Sequence, residues 1–248
     1  MQILVADIGN TRSTLGLFNA CRLIWRRDLA TDAVCSGTEA LVVERCDACV
    51  VSCVSARAAF FSDLLKRQMK CPVFEVSAAQ SGLEIHYAHP ERLGQDRVAN
   101  ALAASIYSMT GAIVIDCGTA THFDVISPSG AFYGGPILAG VETMAEALVQ
   151  RIPHLPAVEL DPDADALSQD TISAINAGTI YAAAGGIERI VREICARVSY
   201  CPKTILTGGN ARYIEPHINY NLWVPDLTLE GLCVYGERVL ARMGRISA

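Results

Sequence analysis

Two stretches of this chain are written to one pattern, and a chain that repeats itself in this way has few folds open to it. The first is Met1-Gln-Ile-Leu-Val-Ala-Asp7-Ile8-Gly9-Asn10-Thr11-Arg12-Ser13-Thr14-Leu-Gly16-Leu-Phe18. An apolar run ends in an aspartate, a glycine and small polar residues follow, and a second apolar run closes the stretch. That order predicts strand, tight turn, strand. The second stretch is an apolar run ending in Asp116-Cys-Gly118-Thr119-Ala120, followed by another strand. Asp7-Ile-Gly9-Asn-Thr11 beside Asp116-Cys-Gly118-Thr119-Ala120 is a distant internal repeat. The turn has the parts of a phosphate seat. Gly9 allows φ > 0 and close backbone approach. Asn10, Thr11, Ser13 and Thr14 can donate hydrogen bonds to oxyanions, and Asp7 can hold a hydrated Mg²⁺. No G-x-x-x-x-G-K-[ST] is present, so this is not a P-loop. A hairpin with an ordinary polar turn would carry the same residues, and the first stretch alone does not choose.

Between and behind the two hairpins, strands alternate with helical patterns. Residues 21–28 read as a third strand beside the first hairpin, 48–54 and 72–76 as strands, and 57–69 as a helix. The stretch 31–46 is not distinctive. A helix opens near Leu93-Gly94-Gln95-Asp96-Arg97, with Ala99, Leu102, Ala103 and Ile106 as its apolar face. In the second half a short strand is expected at 131–133, helices at 137–151 and 168–198, strands at 203–206 and 222–225, and a closing helix at 229–243. The seam falls near 108–111. The expected domains are therefore 1–110 and 111–248, two similar α/β domains facing a cleft. In open α/β sheets, ligands bind beyond the carboxyl ends of the strands. Asp7, Asp116 and Thr207-Gly208-Gly209 all fall at such ends. Two Asp-x-Gly turns with a later Thr-Gly-Gly describe a nucleotide clamp.

The bulk properties narrow the chemistry. The chain has 248 residues, 51% of them hydrophobic and 19% charged, which is globular composition with material for a large core. A net charge of −6 argues against general nucleic-acid binding. Lys66, Lys70 and Lys203 are the only lysines, so a phosphate site must rely on backbone amides, hydroxyls, arginine and metal. No signal peptide is evident, and no run reaches the ~18 apolar residues of a membrane span, so a cytoplasmic protein is expected. The ten cysteines are expected to be reduced. Cys46-x-x-Cys49 is the one tempting spacing, but no second pair completes a zinc set, and buried packing is the expected use.

The repeat resembles the superfamily of acetate and sugar kinases, heat-shock ATPases and actin, and more closely the type III pantothenate kinases. The resemblance covers nearly the whole chain. It rests on Asp7-Ile-Gly-Asn-Thr11, Leu93-Gly-Gln-Asp-Arg-Val-Ala-Asn100, Asp116-Cys-Gly-Thr-Ala120, Gly134-Gly135, Thr207-Gly208-Gly209 and Pro225-Asp-Leu-Thr-Leu-Glu-Gly231-Leu. The Gly-x-Asp-Arg segment is its most specific part. What it implies is an α/β fold of two similar ribonuclease H-like (actin-like ATPase) domains with an interdomain cleft. It further implies ATP-dependent phosphorylation of pantothenate to 4′-phosphopantothenate, the first step of coenzyme A biosynthesis, by a cytoplasmic homodimer that binds neither nucleic acid nor membrane.

The resemblance also implies roles. Asp96 is the general base. Asp7, Ile8, Gly9, Asn10, Thr11, Arg12, Ser13, Thr14 and Thr119 bind ATP. Tyr87, Gly94, Gln95, Asp96, Arg97 and Thr171 bind pantothenate, with Thr171 offered across a dimer interface. Asp7 organises Mg²⁺ through water, and Asp116 binds a monovalent cation, K⁺ or NH₄⁺. Each residue has a plainer use. Asp96 at a helix N-terminus is favoured by the dipole. Arg97 would serve as a surface ion pair, Tyr87 as a half-buried aromatic, Asp116 as a strand-end cap and Thr171 as a helix N-cap. The chain departs from the family at His122, where threonine is usual, at Ala139-Gly140, where Pro-Gly is usual, and at Ser168-Gln-Asp-Thr171. Two other functions remain open at this point: a nucleotide-binding accessory protein of the same fold, and a kinase for another small hydroxy acid.

Overall fold

The computed structural model describes residues 1–35, 45–54 and 58–244. The stretch 36–44, inside the indistinct region 31–46, lies outside the described residues, as does residue 57, where a helix is expected to begin. The chain divides into two compact units. The first takes residues 1–107, 130–132 and 226–248, and the second takes 108–129 and 133–225. The chain first passes from one unit to the other between Tyr107 and Ser108. A plain division into 1–110 and 111–248 does not follow the packing, because the C-terminal helix returns to the first unit.

In the first unit, β1 (Gln2–Ile8), β2 (Arg12–Asn19) and β3 (Arg22–Ala30) form an antiparallel ribbon. After α1 (Thr31–Cys35) come β4 (Ala48–Cys53), α2 (Ala58–Gln68) and β5 (Val73–Glu75), which extend the sheet in parallel beyond β1. The order is β3-β2-β1-β4-β5. β1 is buried on both faces, Ile3 and Val5 on one and Leu4, Ala6 and Ile8 on the other, as the two-residue period requires. β3 is the outer strand. Arg22, Arg26, Arg27 and Asp28 are exposed along it, and such charges protect an edge from pairing with other chains.

Next come α3 (Ala78–Ser81) and α4 (Gln95–Tyr107). α4 is buried from Arg97 to Ala104, more completely than a one-sided apolar face predicts, while Ile106 is 63% exposed. The reason lies in its alanines, whose small side chains let neighbours close in on several sides.

The second unit repeats the plan. β6 (Ala112–Cys117) and β7 (Ala120–Ile126) form the hairpin, and β8 (Ile137–Ala139) pairs antiparallel with β7. Then follow α5 (Val141–Arg151), α6 (Thr171–Cys195), β9 (Lys203–Thr207), α7 (Ala211–Ile214) and β10 (Leu222–Trp223). The sheet order, β10-β9-β6-β7-β8, is that of the first sheet element for element. Two expectations need correction. Residues 131–133 are not the ribbon's third strand: Phe132 makes only an isolated parallel bridge to Ile85. That strand is Ile137–Ala139, so the helix starts at Val141 rather than 137. A three-residue apolar run before a helix carries no period that separates strand from helix.

α8 (Leu227–Arg242) closes the first unit against α4, β1 and β4. At Gly231 a Cβ would lie 1.9 Å from the carbonyl oxygen of Ala99, so the two helix backbones touch there. Thr228 donates to Asn100 at 2.8 Å and Tyr107 donates to Glu230 at 2.5 Å. Burial, and then the charge of Asp226, push the Glu230 carboxyl above its usual range, against the opposing hydrogen bond from Tyr107.

Gly231→Ala is expected to lower unfolding stability in urea by ~3 kcal/mol, the upper range for overpacking, because the obstacle is backbone. Gly185→Ala, in the interior of α6 with nothing within 4 Å of its added Cβ, is expected to raise stability by about 0.5–1 kcal/mol.

Candidate active site

The first hairpin turn runs through Gly9, Asn10 and Thr11, between Ile8 at the end of β1 and Arg12 at the start of β2. The Gly9 amide donates to the Arg12 carbonyl at 3.0 Å. Gly9 is not in the left-handed region. Glycine is needed for the close approach alone, since a Cβ would meet the Arg12 carbonyl oxygen at 2.8 Å. Asn10, Thr11 and Arg12 are exposed at the tip, and Asp7 is half-buried one residue before the end of β1. Ser13 and Thr14 point elsewhere. The buried Ser13 hydroxyl bonds that of Thr31 at 2.8 Å, and Thr31 in turn donates to the Gly9 carbonyl at 3.0 Å. Thr14 donates to Asp28 Oδ1 at 2.8 Å. These two hydroxyls brace the turn from behind.

The segment Gly94–Arg97 is held at the same sheet edge. Ile8 pairs with Cys53, and the Cys53 amide donates to Gln95 Oε1 at 2.7 Å. Thus the first turn of α4 is pinned to the carboxyl end of β4, beside the end of β1 that carries Asp7. Asp96 Oδ1 accepts from the Arg97 amide at 2.8 Å. A Cβ on Gly94 would lie 2.4 Å from that oxygen, so glycine is what leaves the carboxylate room. Arg97 is buried, and its guanidinium carbon stands 5.6 Å from the centroid of the Phe132 ring. Phe132 also lies near Tyr87, with centroids 6.3 Å apart. Its strand-like bonds, Phe132 amide to Glu84 carbonyl and His86 amide to Phe132 carbonyl, are both 2.8 Å. Tyr87, Arg97 and Phe132 therefore form one cluster. Sequence reasoning found the first two and missed Phe132, which reaches the first unit by a three-residue excursion that has no sequence signal.

In the second unit Asp116 stands one residue before the end of β6. Its Oδ2 stands 3.5 Å from His122 Nε2, and His122 Nδ1 stands 3.3 Å from Asp124 Oδ2. Asp124 is fully buried and His122 is buried. The histidine thus sits between two carboxylates, where the Asp116–His122 pairing of the hairpin puts it. Gly208 has φ +93, and a Cβ there would lie 2.5 Å from Asp116 Oδ1. Thr207-Gly208-Gly209 therefore packs against Asp116 within one unit. Thr119 is exposed at the turn, and its carbonyl accepts from the Gly140 amide at 3.0 Å and the Thr143 hydroxyl at 2.7 Å. Asn210 donates to the Gly118 carbonyl at 3.3 Å and to Glu142 at 3.1 Å. Asn210, Glu142 and Thr143 are struts that the sequence did not single out.

Thr171 opens α6, but the cap is Asp170, whose Oδ1 accepts from the amides of Ile172 and Ser173 at 2.9 and 3.0 Å. Thr171 instead lines a hollow of about 730 Å³ with Met144, Leu148 and Ser168–Asp170. None of the residues of the Asp116 turn lines it. Asp7 and Asp116 each offer a carboxylate, a hard oxygen donor of the kind that suits Mg²⁺ or K⁺.

The family described as type III pantothenate kinase matches residues 3–193. A type III pantothenate kinase of Dehalococcoides mccartyi is 31% identical over 93% of this chain and 94% of its own. One from Desulfosudis oleivorans is 33% identical over 95% and 98%. Among solved structures, a Baf family protein from Campylobacter jejuni covers 98% of this chain and 100% of its own at TM-score 0.62 and 18% identity. A ROK family glucokinase from Streptomyces griseus, in complex with glucose and AMPPNP, covers 94% and 98% at TM-score 0.55 and 14% identity. At those identities the structures speak for the fold, which is the actin-like ATPase and sugar kinase fold expected from the repeat. The matches in sequence speak for more: the chain belongs to the type III pantothenate kinase family.

Proposed function

We propose that this protein phosphorylates the primary hydroxyl of pantothenate with ATP, yielding 4′-phosphopantothenate and ADP in the first step of coenzyme A biosynthesis. The observation that carries the proposal is the Gly94–Arg97 segment. It holds a carboxylate and an arginine at the sheet edge that carries Asp7, in a chain that matches this family over nearly its whole length.

Asp96 acts as the general base. Its carboxylate accepts the hydroxyl proton as that oxygen bonds to the γ-phosphorus and the bond to the ADP oxygen breaks. Arg97, fixed over Phe132, binds the pantothenate carboxylate with its planar fork. Tyr87, Gly94 and Gln95 shape the same pocket, Gln95 through its hold on Cys53. Asn10, Thr11 and Arg12 at the turn tip, with the backbone of Ile8 and Gly9, bind phosphate, and Ser13 and Thr14 keep the turn in shape. Thr119 adds a hydroxyl. Mg²⁺ held through water by Asp7, and K⁺ or NH₄⁺ at Asp116, would neutralise charge that builds on the phosphates, a task for which few lysines are present.

The working form is a homodimer joined along α6, where Ile172 and Tyr181 are exposed and Thr171 stands ready to face a partner's substrate. Among the described residues no helix is long and apolar enough to cross a membrane.

Purified protein with ATP, Mg²⁺ and K⁺ is expected to release ADP only when pantothenate is added. Asp96→Asn should lower kcat by about 10²–10⁴-fold while leaving thermal unfolding in place. Unchanged turnover in that variant would remove Asp96 from the role of base, and ADP release with other hydroxy acids but not pantothenate would remove the substrate. Gly94→Ala, which pushes on the Asp96 carboxylate, should cost about 10²-fold in kcat with the fold intact. Exchanging K⁺ for Na⁺ should slow the reaction, whereas equal rates in the two salts would take the cation away from Asp116.

A further inference from the structure

Cys21, Cys233 and Glu237 lie far apart in the chain and together in the first unit. One ligand atom from each falls within 4.8 Å of the other two. Cys233 and Glu237 are four residues apart on α8, so they stand one turn apart on the same face. Cys21 comes from the two-residue turn between Asn19 and Arg22 that joins β2 to β3. Its Sγ donates to Glu237 Oε1 at 2.8 Å. Ala20 has φ 48 and Cys21 φ 60, the pair of left-handed residues of a type I′ turn. Residues with a Cβ rarely occupy both positions. This turn is at the far end of β2 from the Gly9–Thr11 turn.

Packing does not account for the set. Cys233 is buried, as a packing cysteine would be, but Cys21 is exposed at a turn tip. Cys21 is pushed up to about 11, first by burial of its thiol and then by the hydrogen bond and charge of Glu237. Cys233 is raised further, by burial, Glu237 and Cys21.

We propose that Cys21, Cys233 and Glu237 bind a thiophilic divalent cation, of which Zn²⁺ is the probe, with water in the fourth position. Binding releases the two thiol protons and forms two metal–sulfur bonds and one metal–carboxylate bond, with no change of oxidation state. Thiolate donors select against Mg²⁺ and K⁺, so this site differs in kind from the oxygen sites assigned above. Its effect is to fasten the β2–β3 turn to the C-terminal helix, independently of the kinase reading.

The test uses the full chain, reduced and stripped with a chelator. Titration with Zn²⁺ against a chromophoric chelator is expected to show about one equivalent bound at this set. Zn²⁺ is also expected to raise the Tm of the parent. Co²⁺ in its place should give a thiolate-to-cobalt charge-transfer band. Cys21→Gly should fold at least as well without metal, since glycine is at ease in a left-handed turn, yet bind Zn²⁺ about tenfold or more weaker and lose the Tm shift. Glu237→Gln should weaken binding in the same direction. The thiols of Cys46 and Cys71, 3.4 Å apart in the same unit, are the competing source, and Cys71→Ser should leave the Co²⁺ band unchanged. Failure of the reduced parent to bind Zn²⁺, or undiminished binding by Cys21→Gly, would overturn the proposal.

Discussion

The backbone of α8 meets the backbone of α4 at Gly231 and Ala99, and much of the first unit hangs on that contact. It brings the last helix of the chain back to the first sheet. It buries α4 nearly all round, which is why a helix carrying Asp96 and Arg97 in its first turn is held without play. The polar pairs along the seam, Thr228 with Asn100 and Tyr107 with Glu230, satisfy groups that a contact this tight would otherwise strand. The Asp96 carboxylate inherits its placement from the packing of alanines and one glycine.

The two units share a plan but brace it differently. The first turn is held from behind by hydroxyls, Ser13 to Thr31 and Thr14 to Asp28. The second is held from the side, by Gly140, Thr143 and Asn210 on the carbonyls of Thr119 and Gly118. In both cases the residues at the tip are exposed while their neighbours bear the geometry. His122 belongs to this division of labour. It takes the strand position opposite Asp116, and Asp124 opposes its other nitrogen.

The repeat, the strand order of the first ribbon and the Asp-Arg pair were legible because each is local. An aspartate at a strand end, a glycine after it and an apolar period of two are written in consecutive residues. Phe132 was not legible, since its place over Arg97 depends on a three-residue excursion into the other unit. Nor was Asn210, whose bonds span 92 and 68 positions to Gly118 and Glu142. The strand at Ile137–Ala139 was mistaken for the start of a helix because three apolar residues fit both periods. Cys21 and Cys233 escaped a reading of cysteine spacing for the same reason: a ligand pair built from a turn and a distant helix leaves no short motif.

Sequence alone determined the two-fold α/β plan, the residues at the two turns and the family to which the chain belongs, since pattern, propensity and motif are properties of neighbouring residues. Tertiary structure decided which of the small polar residues are exposed and which brace the turn. It also returned the C-terminal helix to the first unit and gathered Tyr87, Arg97 and Phe132 into one cluster. Those outcomes depend on how close one backbone can come to another, which is set by glycine and alanine contacts between segments that are remote in sequence.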